Sequence, residues 1–154
     1  CCCRPYLHVM DAADNVIGEV HNPFMCCNYK VTARAPITDM EGKTMLPEIE
    51  KDGKNADWYH MEASCCQCGN CATCPCGPCK EFVFDVTDTS GEKVSKMAHV
   101  YAGCAKEAFT NADNFYLIFP KGSTWYQRAT MLAGVILSDF LYFERDPNKN
   151  NNNN

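Results

Sequence analysis

Residues 125–143 constrain this chain more than any other stretch, because they are its one long segment with helical apolar periodicity and nearly everything before them reads as short strands. At 1.5 Å per residue such a helix would be about 28 Å long, close to the roughly 30 Å hydrocarbon core of a bilayer. Arg128 and Asp139 interrupt it, and each would cost roughly 2.5–3.5 kcal/mol at a bilayer centre. The pattern therefore predicts a helix buried by surrounding sheet, with a membrane span as the alternative. Met131, Leu132, Val135, Ile136, Phe140 and Phe143 recur along it as its apolar positions, and Ser123 or Thr124 is placed to cap its start.

Before that helix the apolar pattern is short and alternating. Strands are expected at residues 6–10, 16–20, 25–33, 44–49, 58–62, 81–86, 93–100 and 115–119. The run from Glu81 is the clearest, with Phe82, Phe84 and Val86 on one face and Val83 and Asp85 on the other. Asp11, Asp14, Asn15, Asn22, Pro23 and the Asp88-Thr89-Ser90-Gly91 tetrapeptide supply turn chemistry between runs. The expected fold is mainly β, a sandwich or barrel with one C-terminal α-helix, in a domain of residues 1–146. The Asn-rich residues 147–154 are expected to be a disordered tail.

Charge and cysteine usage narrow the function. Nineteen acids against 14 Lys and Arg leave a net charge of -5 with no basic stripe, which argues against a nucleic-acid partner. Nor is there a polybasic patch for anionic lipid, so membrane attachment would fall to apolar surface, acyl chains or a bridging cation. The 13 cysteines are contiguous at Cys1, Cys2 and Cys3, adjacent at Cys26 and Cys27, crowded between 65 and 79, and single at Cys104. Adjacent and odd-numbered thiols suit a reducing compartment better than a disulfide framework. His8, His21, His60 and His99 are scattered and read as strand residues, and no nucleophile elbow or phosphate loop is present. The residues thus point away from an enzyme.

Three segments carry binding chemistry. Asn111-Ala112-Asp113-Asn114 offers oxygen donors of the kind Ca²⁺ takes, or else an Asx turn that opens a strand. The C-x-x-C spacings that include Cys68, Cys71, Cys76 and Cys79 could clasp Zn²⁺, could form a soft loop open to acylation or redox chemistry, or could be an inert insertion. Cys1, Cys2 and Cys3 are candidate acyl acceptors, since two or more chains anchor stably where one does not, or are part of a metal or disulfide segment.

The run Lys106-Glu107-Ala108-Phe109-Thr110-Asn111-Ala112-Asp113-Asn114-Phe115, followed by Ile118-Phe119-Pro120 and by a helix ending Asp139-Phe140-Leu141-Tyr142-Phe143-Glu144, resembles the C-terminal end of phospholipid scramblases. Weaker similarity runs back through Cys76 to Val86, Ile17-Gly18 and His21-Asn22-Pro23 to Cys1. The resemblance implies a Tubby-like β-barrel around a hydrophobic C-terminal helix, of which this chain supplies the later part. It also implies ATP-independent, Ca²⁺-stimulated, bidirectional movement of phospholipids, at the cytoplasmic face of the plasma membrane, with the protein acyl-anchored or single-pass. Cys1, Cys2 and Cys3 resemble the family's palmitoylated cluster, and protein partners would engage a region upstream of it. The Ca²⁺ segment maps onto residues 111–122, with Asn111, Asp113, Phe115, Phe119 and Gly122 at its key positions. Asn111 and Gly122 stand where the family usually has acids, so the resemblance implies a weakened site. A Tubby-like docking or signalling module without lipid movement, and a zinc-binding cysteine-rich module, are the alternative readings.

Overall fold

The computed structural model describes residues 4–36, 57–71, 79–101 and 114–143, with residues 70 and 71 by backbone alone. The strands are β1 (Tyr6–Met10), β2 (Val16–His21), β3 (Asn28–Arg34), β4 (Asp57–Ser64), β5 (Glu81–Thr87), β6 (Lys93–Val100) and β7 (Asn114–Leu117). They form one antiparallel sheet in sequence order. A four-residue helix α1 (Cys68–Cys71) follows β4, and α2 (Trp125–Ser138) follows β7 and runs into a π-helical turn (Asp139–Phe143). The fold is mainly β, a half-barrel sheet curved about the C-terminal helix, consistent with a Tubby-like barrel.

Local chemistry explains the turns. The Asp11 carboxylate accepts from the amides of Ala13 and Asn15 at 2.8 and 2.9 Å, and Asp88 accepts from those of Ser90 and Glu92 at 2.9 and 3.0 Å. Both side chains substitute for backbone partners in a tight reversal. Irregularities in the β1–β2, β3–β4 and β5–β6 pairings fall beside Val9, Ala33 and Val86. Extra residues of this kind bend and twist a strand, which helps seven strands wrap a helix.

The inner face follows from period-two patterning. Val20 pairs with Ala33, Val31 with Met61, Met61 with Val86, and Phe84 with Met97, all of them buried. Burying one such side chain contributes roughly 1.5–3 kcal/mol. The helix lies close because two glycines clear its path. A Cβ at Gly18 would collide with the Thr130 side chain, and one at Gly134 with the tip of Met61.

Residues 125–143 are helical throughout, but the sheet covers one side only. Tyr126, Thr130, Met131, Gly134, Val135, Leu137 and Ser138 are buried, whereas Leu132, Ile136 and Phe140 are 52%, 49% and 61% exposed. The helix is therefore not enclosed, as expected of a chain that supplies only the later part of a barrel: with sheet on one side, alternate apolar positions face outward. Nor is any helix among the described residues long and apolar enough to cross a membrane. At the start, Thr124 and Gln127 exchange a reciprocal capping box. Ser123 donates instead to the Pro120 carbonyl at 2.8 Å and accepts from Arg128 Nε at 3.0 Å.

The π-helical turn resets the phase of the last rings. An α-helix advances about 100° per residue, so Phe143 continued from Gly134 would point about 180° away from the sheet, and Leu141 into it. One wide turn holds the chain back, and the outcome is reversed. Phe143 packs on the core, with ring centroids 4.4 Å from His99 and 5.5 Å from Phe115, while Leu141 is exposed.

Strand bounds shift modestly from the sequence expectation. β3 opens at Asn28 rather than 25, leaving residues 22–27 as the loop after β2. β7 ends at Leu117, although the Ile118 amide still reaches the Lys96 carbonyl at 3.1 Å; Pro120, lacking an N–H, cannot extend the ladder. The run expected at 44–49 and the tail at 147–154 lie outside the described residues.

Candidate functional site

The lipid-facing candidate is the helix side that the sheet leaves bare. Trp125, Leu132, Ile136 and Phe140 share it, and Ile118 and Phe119 add exposed apolar surface in the segment leading to the helix. Arg128 lies on this side too, its guanidinium 5.8 Å from the centre of the Phe119 ring. The ring and the Ser123 hydroxyl hold the charge next to the surface instead of in the core. An apolar stripe with one tethered cation suits contact with a lipid or with another apolar surface.

Behind the helix end, Tyr142 is a hub that the sequence did not disclose. Its hydroxyl accepts from Asn22 Nδ2 at 2.5 Å and from the Lys30 amide at 3.3 Å, and it donates to the Lys30 carbonyl at 3.2 Å. Asn22 also accepts from Arg4 at 2.9 Å. Burial pushes the Tyr142 phenol above its ordinary value, keeping it a neutral donor. Beside this network is a cavity of about 410 Å³ lined by residues that include Arg4, Met25, Cys27, Tyr29, Cys65 and Tyr142. Its loop presents Phe24, 74% exposed, beneath the Arg4 guanidinium at 4.8 Å. The Tyr142 contacts join residues more than a hundred positions apart, which no local signal reveals.

The opposite face of the sheet is polar. Glu19 is only 3% exposed, yet it receives Arg34 in an ion pair and has His8 at 3.3 Å. One row runs His21, Thr32, His60, Thr87 across adjacent strands, with Thr32 Oγ1 3.1 Å from His60 Nδ1. Burial, then the positive charge of Arg34, pushes the His21 imidazole down, and burial with Lys30 does the same to His60. The four histidines all lie in strands, as the sequence reading placed them.

The other predicted site residues are dispersed. Asn111, Asp113, Cys1, Cys2, Cys3 and Cys76 lie outside the described residues, and Cys71 is described by backbone alone. Phe115 faces inward against His99 at 5.0 Å. Gly122 holds φ at +83° in a turn, with open space around an added Cβ. It can offer a cation only its backbone carbonyl, and an acid there would sit in a strained conformation. Cys68 is exposed and Cys79 half-buried. Among the described residues no group of three or more His, Cys, Asp or Glu is placed to hold a metal ion.

Comparison with known proteins adds a second line. The Scramblase family model matches residues 1–145. Phospholipid scramblase 1 of Mus musculus is 35% identical over 96% of this chain and 48% of its own length. Phospholipid scramblase 2 of Bos taurus is 35% identical over 93% of the chain and 53% of its own length. Phospholipid scramblase 1 of Homo sapiens is 34% identical over 93% and 48%. The chain thus spans about half the length of the curated relatives it matches. No solved structure gives a significant match.

Proposed function

The chain belongs to the scramblase family, and we propose that it acts in moving phospholipids between membrane leaflets, without ATP, in both directions and under stimulation by Ca²⁺. The observation that carries this reading is the family match across residues 1–145. The bare apolar side of α2, with Arg128 held at its margin, supports it. Movement without ATP runs down the lipid's own gradient, so the protein has only to lower the barrier that a polar headgroup meets in hydrocarbon. No bond is made or broken, and the activity is transport instead of covalent catalysis.

We place the protein at the cytoplasmic face of the plasma membrane, held by acyl groups on Cys1, Cys2 and Cys3, since two or more chains anchor stably. Ca²⁺ would be held by residues 111–122, with Asp113 as the single carboxylate and Gly122 limited to its carbonyl. Such a donor set fits a weak site, because Ca²⁺ affinity follows ligand charge. The test is reconstitution of the protein into vesicles that carry a fluorescent lipid, with bleaching of the outer leaflet. We expect loss of inner-leaflet signal faster than in protein-free vesicles, and faster still with Ca²⁺ at millimolar levels. A rate equal to protein-free vesicles sinks the activity.

The left-handed Gly122 favours a second reading, a Tubby-like docking module that binds membranes without moving lipid. Flotation with vesicles that depends on acylation, together with no scrambling, would establish it. A zinc module through Cys68, Cys71, Cys76 and Cys79 predicts stoichiometric zinc that is lost on Cys68→Ser.

A further inference from the structure

Two cysteine pairs remote in sequence meet at one end of the sheet. β3 and β4 hold an unbroken antiparallel register from Ala33↔Tyr59 to Asn28↔Ser64. The ladder ends at Asn28↔Ser64, and Cys27 and Cys65 are the next residues beyond it, in a bend before β3 and a turn after β4, with Cys26 and Cys66 one step further. The Asn28 side-chain Nδ2 donates to the Glu62 carboxylate across the end of the ladder at 3.1 Å. Cys26, Cys27 and Cys65 line the same cavity of about 410 Å³. All four thiols are reduced, three of them exposed and Cys65 partly so, and the sulfurs of Cys65 and Cys66 are 3.7 Å apart.

We propose that Cys27 and Cys65 are partners in a reversible cross-strand disulfide, formed by exchange with a small disulfide such as oxidised glutathione, that clamps the loop after β2 to the chain leaving β4. One protein thiolate attacks the small disulfide, forming a mixed disulfide and releasing one small thiolate. The second protein thiolate then attacks the protein sulfur of that intermediate, and the other small thiolate leaves. Two protein S–H groups are lost, their protons pass to the two released thiols, and the small disulfide gains the two electrons.

Opposed strand residues lie about 4.5–5.5 Å apart at Cα, so at the end of the ladder the two chains are as close as a disulfide requires. The cysteines one residue beyond can meet by a small movement of bend and turn, whereas adjacent Cys65 and Cys66 would close a strained ring. The hydrogen bond shared with Cys66, then desolvation, pushes the Cys65 thiol up. A raised pKa leaves less thiolate to attack at neutral pH, and closure itself takes up the oxidant named above. Closure would fix one wall of the cavity beside Tyr142 and restrain the loop that carries Phe24.

The test oxidises the 154-residue chain, with every cysteine except 26, 27, 65 and 66 replaced by serine, using oxidised glutathione. Remaining thiols are blocked, the monomer is digested, and cross-linked peptides are mapped by mass spectrometry. We expect the Cys27–Cys65 cross-link to dominate. It should be reversed by dithiothreitol and lost in Cys27→Ser and in Cys65→Ser, and its dominance should vanish when oxidation is carried out in urea, where the register is gone. The unsubstituted chain, oxidised in parallel, should contain the same cross-link, which guards against misfolding of the serine variant. Dominance of Cys65–Cys66 or of any other pair, glutathione adducts alone, or the same mixture with and without urea overturns the proposal.

Discussion

Gly18 and Gly134 both let the helix touch the sheet, yet replacing them should have different costs. An alanine methyl at Gly18 would meet Thr130, a short β-branched side chain already committed to the Tyr126 carbonyl at 2.8 Å. At Gly134 it would meet the end of Met61, which can swing aside. Gly18→Ala should therefore destabilise by about 1–3 kcal/mol. Gly134→Ala should cost less, since alanine recovers up to about 1 kcal/mol of helix propensity; urea denaturation of the two variants gives the comparison. Tyr142→Phe should cost about 1–2 kcal/mol by leaving the Lys30 amide without its partner. The neutral histidines set a pH dependence. Because His21 and His60 titrate below their ordinary 6.5 when folded, the unfolded chain takes up protons first on acidification. Their contribution is complete above about pH 6.5 and is lost as pH falls through that value towards the folded pKa values. The melting midpoint should drop between about pH 7.5 and about pH 5.5, and more gently in His60→Gln. At this scale the sequence was legible where chemistry is local, as at Asp11, Asp88 and Thr124, and silent where partners are remote, as at Tyr142 and Cys27.

Elements were the most legible level. Alternation marked β5 because Phe82, Phe84 and Val86 face a core while their neighbours do not, and periodicity marked the helix. What periodicity could not supply was how much of the helix would be covered. Met131, Leu132, Val135 and Ile136 look equivalent in sequence, but only the first and third meet the sheet. Met131→Ala should cost about 2–5 kcal/mol, whereas Leu132→Gln should change stability by less than about 0.5 kcal/mol while reducing adhesion to vesicles. Thr124→Ala, which removes one half of the capping box, should cost about 1 kcal/mol. Each is measurable by equilibrium unfolding.

At the scale of the whole molecule, β1 and β7 are the two ends of the sheet among the described residues, and α2 carries an exposed apolar stripe. Unpaired edges and apolar stripes both invite association. The 154-residue chain on its own should therefore elute as polydisperse species on size exclusion, and mild detergent should narrow the profile; a monodisperse monomer in plain buffer would refute this. The half-barrel was anticipated from the strand series and the family resemblance together, since neither shows by itself that strands stop short of enclosing the helix. The π-helical turn has a consequence for how this segment tolerates insertions and deletions. Removing one residue between 139 and 143 would let a plain α-helix form and leave the final rings near their present angle, because the wide turn already holds the chain back by about one residue's rotation. Adding one residue would turn them by about 100° relative to the sheet. Tyr142 would leave Lys30 and Phe143 would leave His99. Chain length in those five positions thus works as a vernier: it sets the angle at which the helix hands its aromatic end to the barrel, and an added residue counts for more there than a change of side chain.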